Sequence, residues 1–156
     1  MIRNAFPLLA LGALGLAGAL HGGTAHAADC ATTVEATDTM QFSTATIAVP
    51  ASCDAFEVTL KHVGKLPKNV MGHNIVVGRS ADLAGINSDG MAAGLDNDYV
   101  KPGDARVVAH SAVIGGGETT TFSIPVSALA QGESYGFICS FPGHAGIMKG
   151  SVVLAD

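Results

Sequence analysis

Phe-Glu-Val-Thr-Leu-Lys-His, at residues 56–62, alternates apolar and polar side chains at every position. A period of two is typical of a β-strand that buries one face and exposes the other. His62 ends this stretch on its apolar phase, which predicts a buried ring. That ring is either a plain core histidine or a pH-linked neighbour of a functional site.

Seven other short runs are rich in β-branched or aromatic residues, and Gly, Pro, Asn and Asp separate them. They lie at 32–37, 42–49, 74–77, 106–110, 119–124, 135–139 and 151–154. Short strands at this spacing in one domain predict an all-β fold, a Greek-key β-sandwich or barrel of about eight strands. Only the segment 80–93 departs from the pattern, because Ser80 can cap a helix and Asp82 suits its first turn. We expect a short, irregular helical insert there.

The amino-terminal segment is predicted to be a secretory signal peptide. Arg3 precedes an uncharged run at 6–20, and Ala25-His-Ala27 supplies small residues at the two positions that cleavage requires. The run is shorter than the roughly 20 residues of a spanning helix, and no other segment is apolar enough to cross a bilayer. We therefore expect residues 1–27 to be removed and residues 28–156 to form one exported domain in the periplasm.

Composition and charge exclude some classes of partner. The 156 residues are 13% charged, with a formal net charge of -5 and no basic cluster. Nucleic-acid binding needs clustered Lys and Arg to contact phosphates, so no nucleic-acid partner is expected. The length allows one ordinary domain. We also expect a monomer, and we expect no membrane span.

Export makes the three cysteines informative. In an oxidising compartment two of them can pair and one is left over. Cys30 and Cys53 are the natural pair, because both lie in the first quarter of the exported domain near strand ends. Cys139 then remains as a thiol that would oxidise unless it is buried or ligated.

The loop Cys139-Ser-Phe-Pro-Gly-His144-Ala-Gly-Ile-Met148 groups three soft ligand types. Thiolate, imidazole and thioether are softer than the oxygen donors that suit calcium or magnesium. The Pro-Gly turn can bring Cys139 and His144 onto one ion, and Met148 can approach from an axial side. His73, at a loop-to-strand junction, offers a third strong ligand. Two His and one Cys in a plane with a weak axial Met form the ligand set of an electron-transfer copper site.

Two other functions stay open at this stage. Zinc also accepts Cys and His, so the same residues could serve a zinc-dependent hydrolase. Zinc gains nothing from Met148, however, and no Asp or Glu lies between Glu133 and Asp156 to act as a base. A copper-handling protein would favour several Met-rich or thiolate motifs, and Met148 is the only Met after Met91. Each ligand alone is also common in packing roles; their combination in one loop favours copper and electron transfer over an enzyme.

The sequence resembles the azurins, bacterial periplasmic blue copper proteins of the cupredoxin superfamily. The resemblance covers the exported part from Cys30 to the final strand. Its most specific segments are Leu66-Pro-Lys-Asn-Val-Met-Gly-His-Asn74, Asp89-Gly-Met-Ala, Gly94-Leu-Asp, Asp98-Tyr-Val-Lys-Pro and Cys139-x-Phe-Pro-Gly-His-x-x-x-Met-Lys-Gly150. It implies a cupredoxin-like sandwich of eight strands with a helical flap, the Cys30–Cys53 disulfide, and a one-electron Cu(I)/Cu(II) shuttle. One departure is Ile75, which stands where some azurins carry a buried tryptophan.

The resemblance also implies roles for individual residues around one copper ion. The implied ligands are His73, Cys139, His144, Met148 and, as a weak axial ligand, the carbonyl oxygen of Gly72. The backbone amides of Asn74 and Phe141 would donate hydrogen bonds to the Cys139 sulfur. The Asn74 side chain would tie the two ligand loops together.

An apolar partner patch is expected around the His144 loop. Apolar or small residues flank His144, and the family places further apolar loop residues at the same end. The expected patch consists of Leu66, Val70, Met71, Met91, Phe141, Pro142 and Ala145. Exposed apolar patches mark docking sites, and small weak interfaces suit transient redox partners. We expect a c-type cytochrome or periplasmic dehydrogenase as donor and a reductase or oxidase as acceptor.

Overall fold

A computed structural model of the chain describes Met1 and residues 29–155. The expected signal peptide, Met1 apart, therefore lies outside the described residues. In the part of the chain that is described, no helix has both the length and the apolar character needed to cross a membrane.

The described residues contain eight strands in two sheets, which confirms the predicted all-β class. The strands are β1 (Ala31–Ala36), β2 (Thr46–Pro50), β3 (Ala55–His62), β4 (Val76–Arg79), β5 (Val107–His110), β6 (Thr119–Pro125), β7 (Tyr135–Ile138) and β8 (Lys149–Ala155). One sheet has the order β1-β3-β6 and the other the order β2-β8-β7-β4-β5. The β1/β3 and β2/β8 pairs are parallel, and the remaining pairs are antiparallel.

The inner faces of both sheets supply one apolar core. In β3 the predicted alternation holds, because Phe56, Val58, Leu60 and His62 are buried and Glu57 between them is exposed. Strands of the five-stranded sheet contribute the opposite side of the same cluster, including the inward residues Ile47, Val49, Val77, Phe137 and Val152. Burial of these side chains is the main favourable term that holds the two sheets together.

Two short helices, α1 (Lys68–Met71) and α2 (Leu83–Ala93), lie outside the sheets. The α2 helix lies within the predicted insert, but it begins only at Leu83, so Asp82 and not Ser80 occupies the cap position. It follows a turn in which the Asp82 amide donates to the Arg79 carbonyl. Ile86 of α2 packs into a second, smaller cluster with Val76, Val100 and Ile138. The α1 helix was not predicted, because it is one turn long and buries none of its residues.

The Cys30–Cys53 disulfide is present, as predicted. Most strand boundaries differ from the prediction, by one to four residues. The run at 42–49 becomes a strand only from Thr46, because Phe42 makes just an isolated bridge to Ala36. The run at 74–77 begins as a strand only at Val76, since Asn74 directs its side chain to other loops.

Strands β4 and β7 bring the predicted ligand loops to one end of the five-stranded sheet. These two strands are antiparallel, and Val76 pairs with Ile138. The start of β4 and the end of β7 therefore lie at the same edge. His73 precedes β4 and Cys139 follows β7, so both occupy this edge.

Candidate metal centre

The loop between β7 and β8 folds back on itself through main-chain hydrogen bonds. The Cys139 amide donates to the Met148 carbonyl at 2.9 Å, and the Met148 amide donates to the His144 carbonyl at 2.8 Å. A turn closes between Phe141 and His144, whose amide donates to the Phe141 carbonyl at 3.0 Å. Gly143 has φ +85° in that turn, a region that favours glycine. These bonds hold the side chains of Cys139, His144 and Met148 in one compact loop.

His73 lies opposite the loop between β7 and β8, and both its backbone and its ring are held in place. Its amide and carbonyl form a two-way bridge to Ile114, at 3.0 and 2.9 Å. Its Nε2 donates to the Thr37 carbonyl at 2.9 Å, which leaves Nδ1 with a free lone pair. The His62 ring stacks on the His73 ring at 4.5 Å between centroids. The imidazole is fully buried and fixed in one orientation.

The three strong donors predicted from the sequence converge. Cys139 Sγ lies 3.8 Å from His73 Nδ1 and 3.6 Å from His144 Nδ1, and all three ligand atoms lie within 4.8 Å of one another. Bonds of about 2.0–2.1 Å from the metal to nitrogen and about 2.3 Å to sulfur, spread at about 110–120°, would separate the sulfur from each nitrogen by about 3.5–3.8 Å. The donor set and its spacing therefore fit one soft transition-metal ion bound by one thiolate and two imidazoles.

Burial of the centre shifts the proton affinity of each donor. Burial raises the pKa of the Cys139 thiol to about 11, and the backbone amides of Asn74 and Phe141 oppose that rise by hydrogen bonding to the sulfur. Burial lowers the pKa of His73 to about 4 and also lowers the pKa of His144. Both rings are therefore neutral near pH 7 and able to ligate. The thiol needs a cation beside it before it gives up its proton.

The two weaker candidates lie against this cluster. Met148 is 1% exposed and bonded through its main chain to Cys139 and His144. Gly72 immediately precedes His73 and is buried. A side chain at Gly72 would collide with the Lys68 carbonyl, so a glycine is required there by close packing.

Asn74 connects the loops that carry His73 and Cys139. Its Nδ2 donates to the Ser140 hydroxyl at 2.8 Å and to the Asp98 carbonyl at 2.7 Å. Its Oδ1 accepts from the Ser140 amide at 2.9 Å. One buried amide thus joins three segments of chain. A tie at Asn74 was expected from the family resemblance, whereas Ser140 and Asp98 were not predicted as its partners.

The residues of the expected partner patch differ in exposure. Leu66, Val70 and Met91 are 38%, 55% and 46% exposed, and Pro142 is also exposed. Met71 and Ala145 are half-buried. Phe141 is only 7% exposed, because it packs against His144 and the edge of Tyr99. Within the expected patch, Leu66, Val70, Met91 and Pro142 are therefore accessible to a partner, whereas the ring of Phe141 is buried.

Two residues near the metal centre, Ile147 and Thr37, were not predicted from the sequence. Ile147 is 63% exposed within the ligand loop, and its position between Gly146 and Met148 was the available signal. Thr37 contributes only its carbonyl oxygen, which every residue type possesses, so no sequence signal existed. His62 is buried as expected, with Nε2 donating to the Met71 carbonyl at 2.9 Å.

Comparisons with known proteins give a consistent result. Residues 28–155 match the family model described as copper binding proteins, plastocyanin/azurin family. The azurin of Pseudomonas chlororaphis is 58% identical over 127 residues, which cover 81% of this chain and 99% of the relative. Azurin-1 of Alcaligenes xylosoxydans xylosoxydans is 56% identical over 129 residues, 83% of this chain and 100% of the relative. The solved structure of the azurin Az-iso2 from Methylomonas sp. strain J superposes with a TM-score of 0.80 at 48% identity, covering 83% of this chain and 100% of that one.

Proposed function

The chain belongs to the plastocyanin/azurin family of copper-binding proteins, and from this premise we propose that His73, Cys139 and His144 hold its copper. The protein is a copper electron-transfer protein with one copper per chain, and it is not an enzyme. The His/Cys/His set fits copper, so the zinc hydrolase considered above is not supported. The family match also supports electron transfer over the copper-handling alternative.

One observation supports these three ligands above all others. Within the described residues, the thiol and two imidazole nitrogens that lie within 4.8 Å of one another form the only group of its kind. When bound, copper supplies one-electron chemistry by alternating between Cu(I) and Cu(II). The chain's contribution is to hold the donors still, because His73 and Cys139 come from separate loops joined by the buried Asn74 amide.

Met148 and the Gly72 carbonyl are proposed as two further, weaker ligands that would help to hold the copper. In support, Met148 is buried and its main chain is bonded to both Cys139 and His144. Gly72 is covalently next to His73 and closely packed. The amides of Asn74 and Phe141, which already bond to the thiol, are proposed to stabilise the thiolate and tune the reduction potential.

The exposed aliphatic surface beside His144 is proposed as the docking site for redox proteins. Leu66, Val70, Met91 and Pro142 are exposed, and exposed apolar residues that form one patch mark interaction sites. His144 itself is 4% exposed, so the electron would leave through the ring that lies nearest to the surface. A c-type cytochrome or a periplasmic dehydrogenase or reductase is the proposed class of partner.

Export to the periplasm is proposed together with removal of residues 1–27. In support, the family match begins at residue 28, one position after the expected cleavage. The Cys30–Cys53 disulfide also suits an oxidising compartment. Residues 28–156 would then form the whole mature domain.

Copper titration of the mature protein tests the proposed ligands. The parent is expected to develop an intense blue absorption band that saturates at one Cu(II) per chain. Cys139→Ser should lose the band, whereas Cys30→Ala/Cys53→Ala should retain it, because that pair lies outside the centre. A parent that stays colourless with copper, or a band that survives in Cys139→Ser, would overturn the assignment.

A further inference from the structure

The orientation of His73 depends on a surface turn. Its Nε2–H is bonded to the carbonyl of Thr37, and Thr37 opens a turn that ends at Gln41. The turn is closed by the Thr37 amide donating to the Gln41 carbonyl and the Met40 amide donating to the Thr37 carbonyl, both at 3.1 Å. The same Thr37 oxygen therefore accepts from the turn and from the buried imidazole.

Asp38 joins this turn to a second loop. Its Oδ2 accepts from the Lys65 amide at 2.8 Å, and its Oδ1 accepts from the Leu66 amide at 3.2 Å. Among the described contacts, Asp38 is the one side chain of residues 37–41 with a hydrogen bond to another segment. The carboxylate fits so closely that a side chain on Gly64 would collide with it.

The two bonds accepted by Asp38 go to a charged carboxylate, and the bond from the Lys65 amide is the shorter one at 2.8 Å. A carboxylate that accepts from backbone amides makes charge-assisted bonds, roughly twice as strong as neutral ones. The turn is otherwise partly exposed and contains Met40 at φ 55°, a conformation that non-glycine residues seldom adopt. Without Asp38, the turn would keep its own bonds but lose this connection to the 64–66 loop.

We propose that Asp38 is a positioning residue for His73: by fastening the 37–41 turn to Lys65 and Leu66, it fixes the Thr37 carbonyl that orients the imidazole. The inference rests on the proposed function, in which His73 Nδ1 is a copper ligand. It also links Leu66, an exposed residue of the docking surface, to a ligand through one carboxylate. Partners of a ligating histidine's other nitrogen commonly change metal affinity about 10–100-fold.

The first test uses the copper-free mature protein labelled with ¹⁵N in histidine and backbone amides. In Asp38→Ala, hydrogen exchange of the Lys65 and Leu66 amides and of the His73 Nε2–H should each accelerate about tenfold or more. Asp38→Asn keeps one acceptor oxygen and should show smaller changes in the same direction. It also serves as the test protein if the alanine variant does not fold.

Asp104→Ala is the matched control, because Asp104 also accepts from a backbone amide, that of Arg106 at 3.1 Å, in a loop outside the centre. This variant should leave the His73 Nε2–H unchanged. With copper bound, Asp38→Ala should lower copper affinity about tenfold and shift the reduction potential, and Asp104→Ala should do neither.

The inference would be overturned if hydrogen exchange of the Lys65 and Leu66 amides accelerates while exchange of the His73 Nε2–H stays unchanged. Asp38 would then anchor only the loop. Equal acceleration in Asp104→Ala would overturn it as well, because the effect would reflect general loss of stability. The copper-free measurement separates this inference from the proposed function. A parent that fails to bind copper contradicts the function but leaves the imidazole result standing.

Discussion

Replacing Asn74 with alanine tests how far the two ligand loops depend on one buried amide. The substitution removes three hydrogen bonds, two donated by Nδ2 and one accepted by Oδ1. The Ser140 amide is buried and would lose its acceptor. An unsatisfied buried group costs about 1–3 kcal/mol, and each of the other bonds contributes about 0.5–1.5 kcal/mol. We expect the copper-free protein to lose about 3 kcal/mol of its free energy of unfolding.

Urea unfolding of the copper-free protein measures this loss. With a typical slope of 1–3 kcal/mol per molar, a loss of about 3 kcal/mol lowers the midpoint by about 1–3 M. Asn97→Ala is the matched control, because Asn97 also donates from Nδ2 to a carbonyl, that of Ala93 at 2.8 Å, but on the exposed surface. It should cost no more than about 0.5 kcal/mol.

The copper-loaded variant supplies a second readout. With the tie between the loops gone, the reduction potential of Asn74→Ala should shift, while Asn97→Ala should keep the parent value. A loss below about 0.5 kcal/mol for Asn74→Ala, the range of ordinary surface substitutions, would refute the reasoning. It would mean that the main-chain bonds alone hold the two loops together.

Three further predictions concern acid, the disulfide and docking. Because burial lowers the pKa of His73 to about 4, neutral His73 stabilises the copper-free fold above its unfolded pKa of 6.5, and this stability is lost as the pH falls toward 4. The loss should approach about 3 kcal/mol in urea unfolding at successive pH values, and His73→Gln should flatten the slope; an equal slope in that variant would contradict the assignment. Removing the disulfide with Cys30→Ala/Cys53→Ala should cost about 3 kcal/mol by thermal unfolding, without altering the copper stoichiometry. Met91→Lys should slow electron self-exchange without changing the reduction potential, and unchanged kinetics would count against the patch.

Local signals in the sequence were sufficient for much of the fold and for the strong donors. The alternation at 56–62 predicted a half-buried strand, and β3 buries the expected face. Cys139, His144 and Met148 share one loop, so their proximity follows from chain connectivity. His73 required a choice among the five histidines outside that loop, and its place beside a strand end favoured it.

Features that depend on strand register or on main-chain contacts could not be predicted from the sequence. Phe141 is apolar and adjacent to the ligands, and an apolar loop residue looks the same in sequence whether it faces solvent or the protein. Its contacts with Tyr99 and His144 bury it, so it supports the loop from inside. Asp38 acts on backbone amides 27 and 28 residues away, a relation that only the folded topology creates.

Because β2 pairs in parallel with β8, we expect the copper pocket to form late in folding. This ladder joins Thr46–Pro50 to Lys149–Ala155, so the five-stranded sheet is complete only once β8 has paired with β2. Contacts between such distant parts of a sequence give a high contact order and slow folding. Truncated or still-emerging chains would lack a seat for Met148, which precedes that strand. The full set of proposed ligands would therefore be held in place only after β8 has joined the sheet.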